Sequence, residues 1–337
     1  GVGPPEERPV RLDLAWFSTE TNRFGTNEFI DWCRAAGTEP MLGVNLGTRG
    51  PDQARRFIEY CNHPGGTALS ELRRRHGYAA PHDVKLWCLG NEMDGPWQIC
   101  GMTAEEYGRV ARETAKVMRW VDPTVRLAAC GSSNHAMPTY AAWEDRVLDH
   151  CFDDVDLVSL HMYFDKHKGS TAEFFGNIEV MDLYIQEIVA VGARRRSTKR
   201  MMLSFDEWNV WYRARSGMDV RQPGWPERPR LLEEVYNVED ALVVGGALIV
   251  LMNHADRVKG ACLAQLVNVI GAIMTEPGGP AWRQTIFYPF AHASRFARGR
   301  ALRPVIRSPS YQAETFPEIS YLCASAVDDR ETGTTSV

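Results

Sequence analysis

Six short apolar runs, at 40–46, 84–91, 125–131, 155–163, 201–207 and 258–267, each lead into a longer segment whose apolar residues return every three or four positions. Strand-length runs alternating with helical stretches bury a parallel sheet on both faces, which leaves few folds open. The runs also finish alike. Asn45, then Asn91 and Glu92, then Ser132 and Ser133, then His161 and Tyr163, then Glu207, then Gln265 and Asn268 stand at their carboxyl ends. A (β/α)8 barrel gathers its catalytic groups from several strand ends on that one face. A strand meeting water explains one polar finish, but six in succession favour a shared mouth. The expected fold is therefore α/β, a (β/α)8 TIM barrel with about six of its eight units present.

The helical segments carry their own boundaries. Thr103 and Glu106 form a capping box ahead of a helix over 103–121, where Tyr107, Val110, Ala111, Thr114, Val117, Met118 and Val121 share one face and Asp122-Pro123 ends it. Further helices are expected over 27–36, 51–61, 139–151, 172–191 and 231–253. The stretch 215–230, rich in Pro, Gly and Arg, reads as a surface loop. Six strands leave such a barrel two short, so its first strands are expected to precede Gly1. The tail from Phe316 reads as opening strands of another unit. The expected domains are a (β/α)8 catalytic barrel over 1–305 lacking its first strands, and the start of a truncated C-terminal β-sandwich over 306–337.

At 337 residues, 44% hydrophobic and 24% charged, the chain can bury a sizeable core. A net charge of −5, from 43 acidic and 38 basic residues, gives no basic footprint for nucleic acid and no polybasic patch for an anionic membrane. No nucleic-acid or membrane partner is expected, and the substrate should be neutral or small and polar. The apolar stretch 241–252 is shorter than the roughly 18 residues a bilayer needs, so it reads as a core helix. The eight cysteines include no CxxC pair. Cys88, Cys130 and Cys262 lie inside apolar runs, where a free thiol behaves as a small hydrophobe. Reduced core thiols imply a cytoplasmic protein. The opening GVGPPEERPV has neither an initiator Met nor the basic-then-apolar order of a signal peptide, so the N-terminus itself reads as missing.

Two carboxylates stand out. Glu92 in LGNEMDGPW and Glu207 in SFDEWNVWY each close an apolar strand beside amides and tryptophans. Glycoside hydrolysis needs such a pair, one acid to protonate the leaving oxygen and one carboxylate to attack the anomeric carbon or activate water. Tryptophan offers a sugar ring an apolar face, and Asn91 and Gln265 offer donors and acceptors to its hydroxyls. A Glu at a strand end is more often solvated or capping, so the weight rests on the pair. His161 and Tyr163 alternate on one strand face, but a single His without a second ligand at metal spacing is more often a packed residue. Asp206 should face away from Glu207. There is no HExxH, GxSxG, phosphate loop or GxGxxG.

Taken in order, the segments DLAWFSTETNRFGTNEF, VKLWCLGNEMDGPWQ, MLSFDEWNVWY and GACLAQLVNVI resemble glycoside hydrolase family 51, the α-L-arabinofuranosidases, along nearly the whole chain. The resemblance implies a retaining, exo-acting enzyme with Glu92 as acid/base and Glu207 as nucleophile. It implies that Asn91 binds the sugar 2-hydroxyl, that Trp16, Tyr163, Trp211 and Gln265 line the pocket for an arabinofuranosyl ring, and that His161 lies in or just behind it. It implies no metal or organic cofactor, an arabinose-containing oligo- or polysaccharide as substrate, and a homo-oligomer, in that family a hexamer. The alternatives are a β-xylosidase or endoglucanase on the same barrel, or a non-catalytic sugar-binding fragment.

Overall fold

A computed structural model of the chain describes residues 2–166, 169–195, 197–213 and 223–337. The chain divides into two compact units, the first comprising 1–133, 137–159 and 219–229, the second 134–136, 160–218 and 230–337.

The first unit opens on a hairpin of β1 (Arg11–Asp13) and β2 (Ser18–Glu20). There follow α1 (Thr26–Ala36), β3 (Met41–Val44), α2 (Pro51–Asn62), α3 (Ala68–Arg75), β4 (Leu86–Leu89), α4 (Ala104–Val121), β5 (Arg126–Cys130), α5 (Ala142–Cys151) and the first residues of β6 (Leu157–Phe164). The strands pair in parallel, with Val44, Leu89, Ala129 and Val158 in one row across all four. Their carboxyl ends therefore lie side by side. The capping box at α4 forms as its sequence requires: Glu106 N–H donates to Thr103 Oγ1 at 3.3 Å, and Thr103 N–H to Glu106 Oε2 at 2.9 Å. Tyr107, Ala111, Thr114 and Met118 of that helix are fully buried.

In the second unit β6 runs on to Phe164, followed by α6 (Thr171–Ala193), β7 (Met202–Val210), α7 (Val238–Asn253), β8 (Val258–Leu263), β9 (Ile273–Thr275), β10 (Ala281–Arg283) and α8 (Phe287–Phe296). The unit ends in β11 (Arg300–Leu302), β12 (Ser310–Tyr311), β13 (Ile319–Ser320), β14 (Ala326–Asp329) and β15 (Thr334–Ser336). These last strands pair only antiparallel, in the order β11-β14-β15 and as a β12-β13 hairpin. The parallel strands follow chain order from β3 to β8, which is the order of a (β/α) barrel with six strands. Among the described residues no helix is long and apolar enough to cross a membrane.

All six expected strands are present, yet several expectations are corrected. The helix expected over 231–253 begins only at Val238. Asn237 caps it, accepting from Asp240 N–H at 3.2 Å while Asp240 Oδ2 accepts from Asn237 N–H at 2.7 Å. Helices α3 and α8 have no counterpart among the expected helices. Of the loop expected over 215–230, residues 215–222 lie outside the described residues. Cys130 is buried, but Cys262 on β8 is exposed, because among the described residues only β7 pairs with that strand; all eight cysteines are free thiols.

The helices of the first unit are tied by buried polar groups. Arg73 is fully buried and donates to the carbonyls of Tyr60, His63, Pro64 and Tyr78 at 2.6–3.2 Å. His82, 4% exposed, sets Nε2 3.0 Å from Asn27 Oδ1, while its buried Nδ1 has no partner. Burial first, then the Arg34 and Arg73 guanidiniums, pushes the imidazole down to about 4. Between pH 6.5 and about 4 the unfolded chain therefore binds a proton that the folded chain refuses, so stability falls as pH falls through that window. The expected loss is about 2–3 kcal/mol. Urea unfolding at pH 7, 5.5 and 4.5 should show His82→Gln losing less stability on acidification than the parent. Parallel losses would show that His82 is not the cause.

Candidate active site

In the first unit the end of β4 turns sharply. Gly90 takes φ +98°, and a Cβ there would lie 2.9 Å from Met93 Cγ, so the position suits glycine alone. Glu92 follows at φ +47°, the left-handed region that a non-glycine residue enters only under constraint. Its carbonyl accepts from Gly95 N–H at 2.9 Å, closing the turn. The Trp97 ring lies over Gly95, and its indole N–H donates to Glu92 Oε2 at 2.5 Å. Asn91 is exposed beside a cavity of about 370 Å³ that Asn45, Thr48, Gly90, Met93 and Trp97 also line. Trp16 is half-buried in the β1–β2 turn, its N–H held by Asp13 Oδ1 at 3.2 Å.

Two acids, Asp94 half-buried and Glu144 fully buried, brace the strand ends beneath that turn. Asp94 Oδ2 accepts from the Ser133 N–H at 3.0 Å and hydroxyl at 3.2 Å, and Glu144 Oε1 from the Ser132 N–H at 2.6 Å. Burial raises both carboxyl groups above the ordinary range, and the Glu92 charge adds to the rise at Asp94. They tie the turn after β4 and helix α5 to the end of β5.

In the second unit the register between β7 and β8 slips, with Phe205 opposite Ala261 but Trp208 opposite Leu263. Three residue steps on β7 answer two on β8, a bulge at Asp206 and Glu207. The alternation expected to set Asp206 away from Glu207 fails for that reason: His161 meets both, with Nε2 3.2 Å from Asp206 Oδ1 and Nδ1 3.5 Å from Glu207 Oε2. The Tyr163 hydroxyl donates to Glu207 Oε1 at 2.7 Å. Trp211 packs edge-on against Tyr163, ring centroids 5.0 Å apart. Thus His161, Tyr163, Glu207 and Trp211 come together, with both oxygens of Glu207 facing a ring group. Gln265 stands on the loop after β8, exposed.

The chain is similar to known proteins along most of its length. The family model described as "Alpha-L-arabinofuranosidase 1 domain" matches residues 1–182, and "Alpha-L-arabinofuranosidase C-terminal domain" matches 206–336. The intracellular exo-α-(1→5)-L-arabinofuranosidase of Halalkalibacterium halodurans is 56% identical over 97% of this chain and 66% of its own, and that of Bacillus subtilis 53% over all of this chain and 68% of its own.

The chain belongs to the α-L-arabinofuranosidases of glycoside hydrolase family 51.

A solved family 51 arabinofuranosidase from Bifidobacterium longum superposes with a TM-score of 0.95 at 43% identity, over 99% of this chain and 68% of that one. The fold is thereby that of the family's (β/α)8 barrel. The chain spans 66% of the Halalkalibacterium halodurans relative and 50% of one from Streptomyces lividans, 55% identical. For an arabinofuranosidase, sequence reasoning overlooks Trp97, although it lies in the same LGNEMDGPW motif as Glu92. It also sets Asp206 aside on strand alternation, which the bulge defeats.

Proposed function

We propose that this chain carries the catalytic pair of a retaining, exo-acting α-L-arabinofuranosidase. The observation that supports this reading best is that Glu92, just past the end of β4, and Glu207, three residues before the end of β7, each take a hydrogen bond from an aromatic side chain, Trp97 and Tyr163. Glu207 attacks the anomeric carbon of a terminal α-L-arabinofuranosyl unit, and the hydrogen bond from the Tyr163 hydroxyl aims its carboxylate. Glu92 gives its proton to the departing oxygen, then takes one from the water that releases arabinose, with configuration retained. That double displacement needs the two carboxyl groups about 5–5.5 Å apart. Asn91 holds the 2-hydroxyl, a contact that tightens as positive charge develops in the ring. Trp16, Trp211 and Gln265 complete the ring's surroundings, and Asp206 orients His161 against Glu207.

The substrate class is an arabinose-containing glycan with terminal α-L-arabinofuranosyl units. The names of the Halalkalibacterium halodurans and Bacillus subtilis relatives favour α-(1→5) linkages and a cytoplasmic setting for this protein too. A relative from Bifidobacterium longum that is 48% identical is named for α-(1→6) linkages, so the linkage needs its own measurement. The test is a panel of 4-nitrophenyl glycosides with α-(1→5)- and α-(1→6)-linked arabinobiose, the product anomer followed by proton NMR. Release of α-L-arabinofuranose from the arabinofuranoside and the (1→5) disaccharide is expected. Cleavage of the xyloside or glucoside alone, or an inverted first product, overturns the reading.

A further inference from the structure

Asn209 lies two residues beyond Glu207, fully buried as the penultimate residue of β7. Its amide nitrogen reaches three acceptors: Ala264 O at 2.5 Å, Ile270 O at 2.8 Å and the Tyr236 hydroxyl oxygen at 3.1 Å. Its Oδ1 accepts from Val210 N–H at 2.8 Å, which fixes which way the amide points. Both carbonyls bracket the loop that bears Gln265, one immediately before that residue and one five positions after it.

The loop needs such a clamp. Asn268 and Ile270 sit at φ +62° and +38°, and for a β-branched side chain that conformation is strained. Ile270 is buried nonetheless, its N–H donating to Leu232 O at 2.7 Å and its carbonyl also accepting from the Tyr236 hydroxyl at 3.1 Å. Asn268 Oδ1 accepts from Thr275 N–H at 2.8 Å, closing the far side. Strain of this kind persists only where the surroundings over-determine the backbone.

We propose that Asn209 is a positioning residue that locks the Gln265 loop to the strand carrying Glu207, so that sugar-binding amide and nucleophile keep one fixed spacing. The inference rests on the arabinofuranosidase reading. Asn209 touches no substrate, and it acts through the backbone carbonyls of Ala264 and Ile270.

Asn209→Asp is nearly isosteric but turns an oxygen toward two carbonyls that now lack their donor, so the loop should move away. In the intact enzyme kcat/KM on 4-nitrophenyl α-L-arabinofuranoside is expected to fall about 10- to 100-fold, mostly through KM. Gln265→Ala should show a similar loss. The decisive variant is the double substitution, expected to be no worse than Gln265→Ala, because residues acting through one contact are not additive. Asn209→Ser, which keeps a donor, is run alongside in case the aspartate variant does not fold, and should show a smaller loss that likewise disappears in the Gln265→Ala background. Losses that multiply in the double variants, wild-type kinetics in both Asn209 variants, or a Gln265→Ala enzyme with unchanged KM overturn the proposal. An enzyme that cleaves no arabinofuranoside at all fails the underlying reading instead.

Discussion

Replacing Glu207 with alanine is expected to lower turnover of 4-nitrophenyl α-L-arabinofuranoside by about 10⁴-fold or more, the loss typical when a covalent nucleophile is removed. The two hydrogen-bonding neighbours of its carboxylate stay in place, so the fold should survive: His161 retains Asp206 at 3.2 Å and Tyr163 retains its packing against Trp211. The excised side chain leaves room for a small anion on the face opposite the leaving group. Azide should then attack the anomeric carbon directly, and the single displacement should give the β-configured glycosyl azide, resolved by proton NMR. Glu207→Gln, which keeps the volume but not the charge, should be equally inactive and unresponsive to azide. Residual activity within tenfold of the parent, or an azide adduct of retained configuration, would assign the nucleophile elsewhere.

Much of this site is legible in the amino-acid sequence because the chemistry needs residue types that strands seldom end on. Glu92 and Glu207 are conspicuous as acids closing apolar runs, and the Thr103–Glu106 box marks its helix to the residue. What stays hidden depends on backbone shape. Alternation along β7 separates Asp206 from Glu207 on paper, and only a bulge, set by the pairing with β8, lets one imidazole meet both. Trp97 reaches Glu92 because the turn after Gly90 folds its ring across Gly95, a path that spacing alone does not describe. Asn209 falls past the run that is read as ending at Glu207, and its value comes from two carbonyls 55 and 61 positions further along the chain. The late start of α7 has a signal, the Asn237–Asp240 capping box, but the apolar run behind it masks the boundary.

Glu92 poses the complementary case, since its two duties fall in different steps. With alanine there, a leaving group as good as 4-nitrophenolate departs without help, so the covalent intermediate still forms but water is no longer activated to resolve it. Turnover should fall about 10²- to 10⁴-fold, and KM with it, because the intermediate accumulates. Azide needs no general base. It should restore turnover and yield the α-configured azide, the opposite anomer from the Glu207 variant. On α-(1→5)-arabinobiose, whose alkoxide cannot leave unprotonated, azide should rescue nothing. The backbone adds a second signature, because alanine inherits the φ of +47° that glycine tolerates freely. Glu92→Gly should therefore be more stable than Glu92→Ala by about 0.5–1 kcal/mol in urea while matching it in kinetics, since strain held at a functional residue is released only when the Cβ goes. Equal loss on both substrates, with azide without effect on either, would remove Glu92 from the role of acid and base.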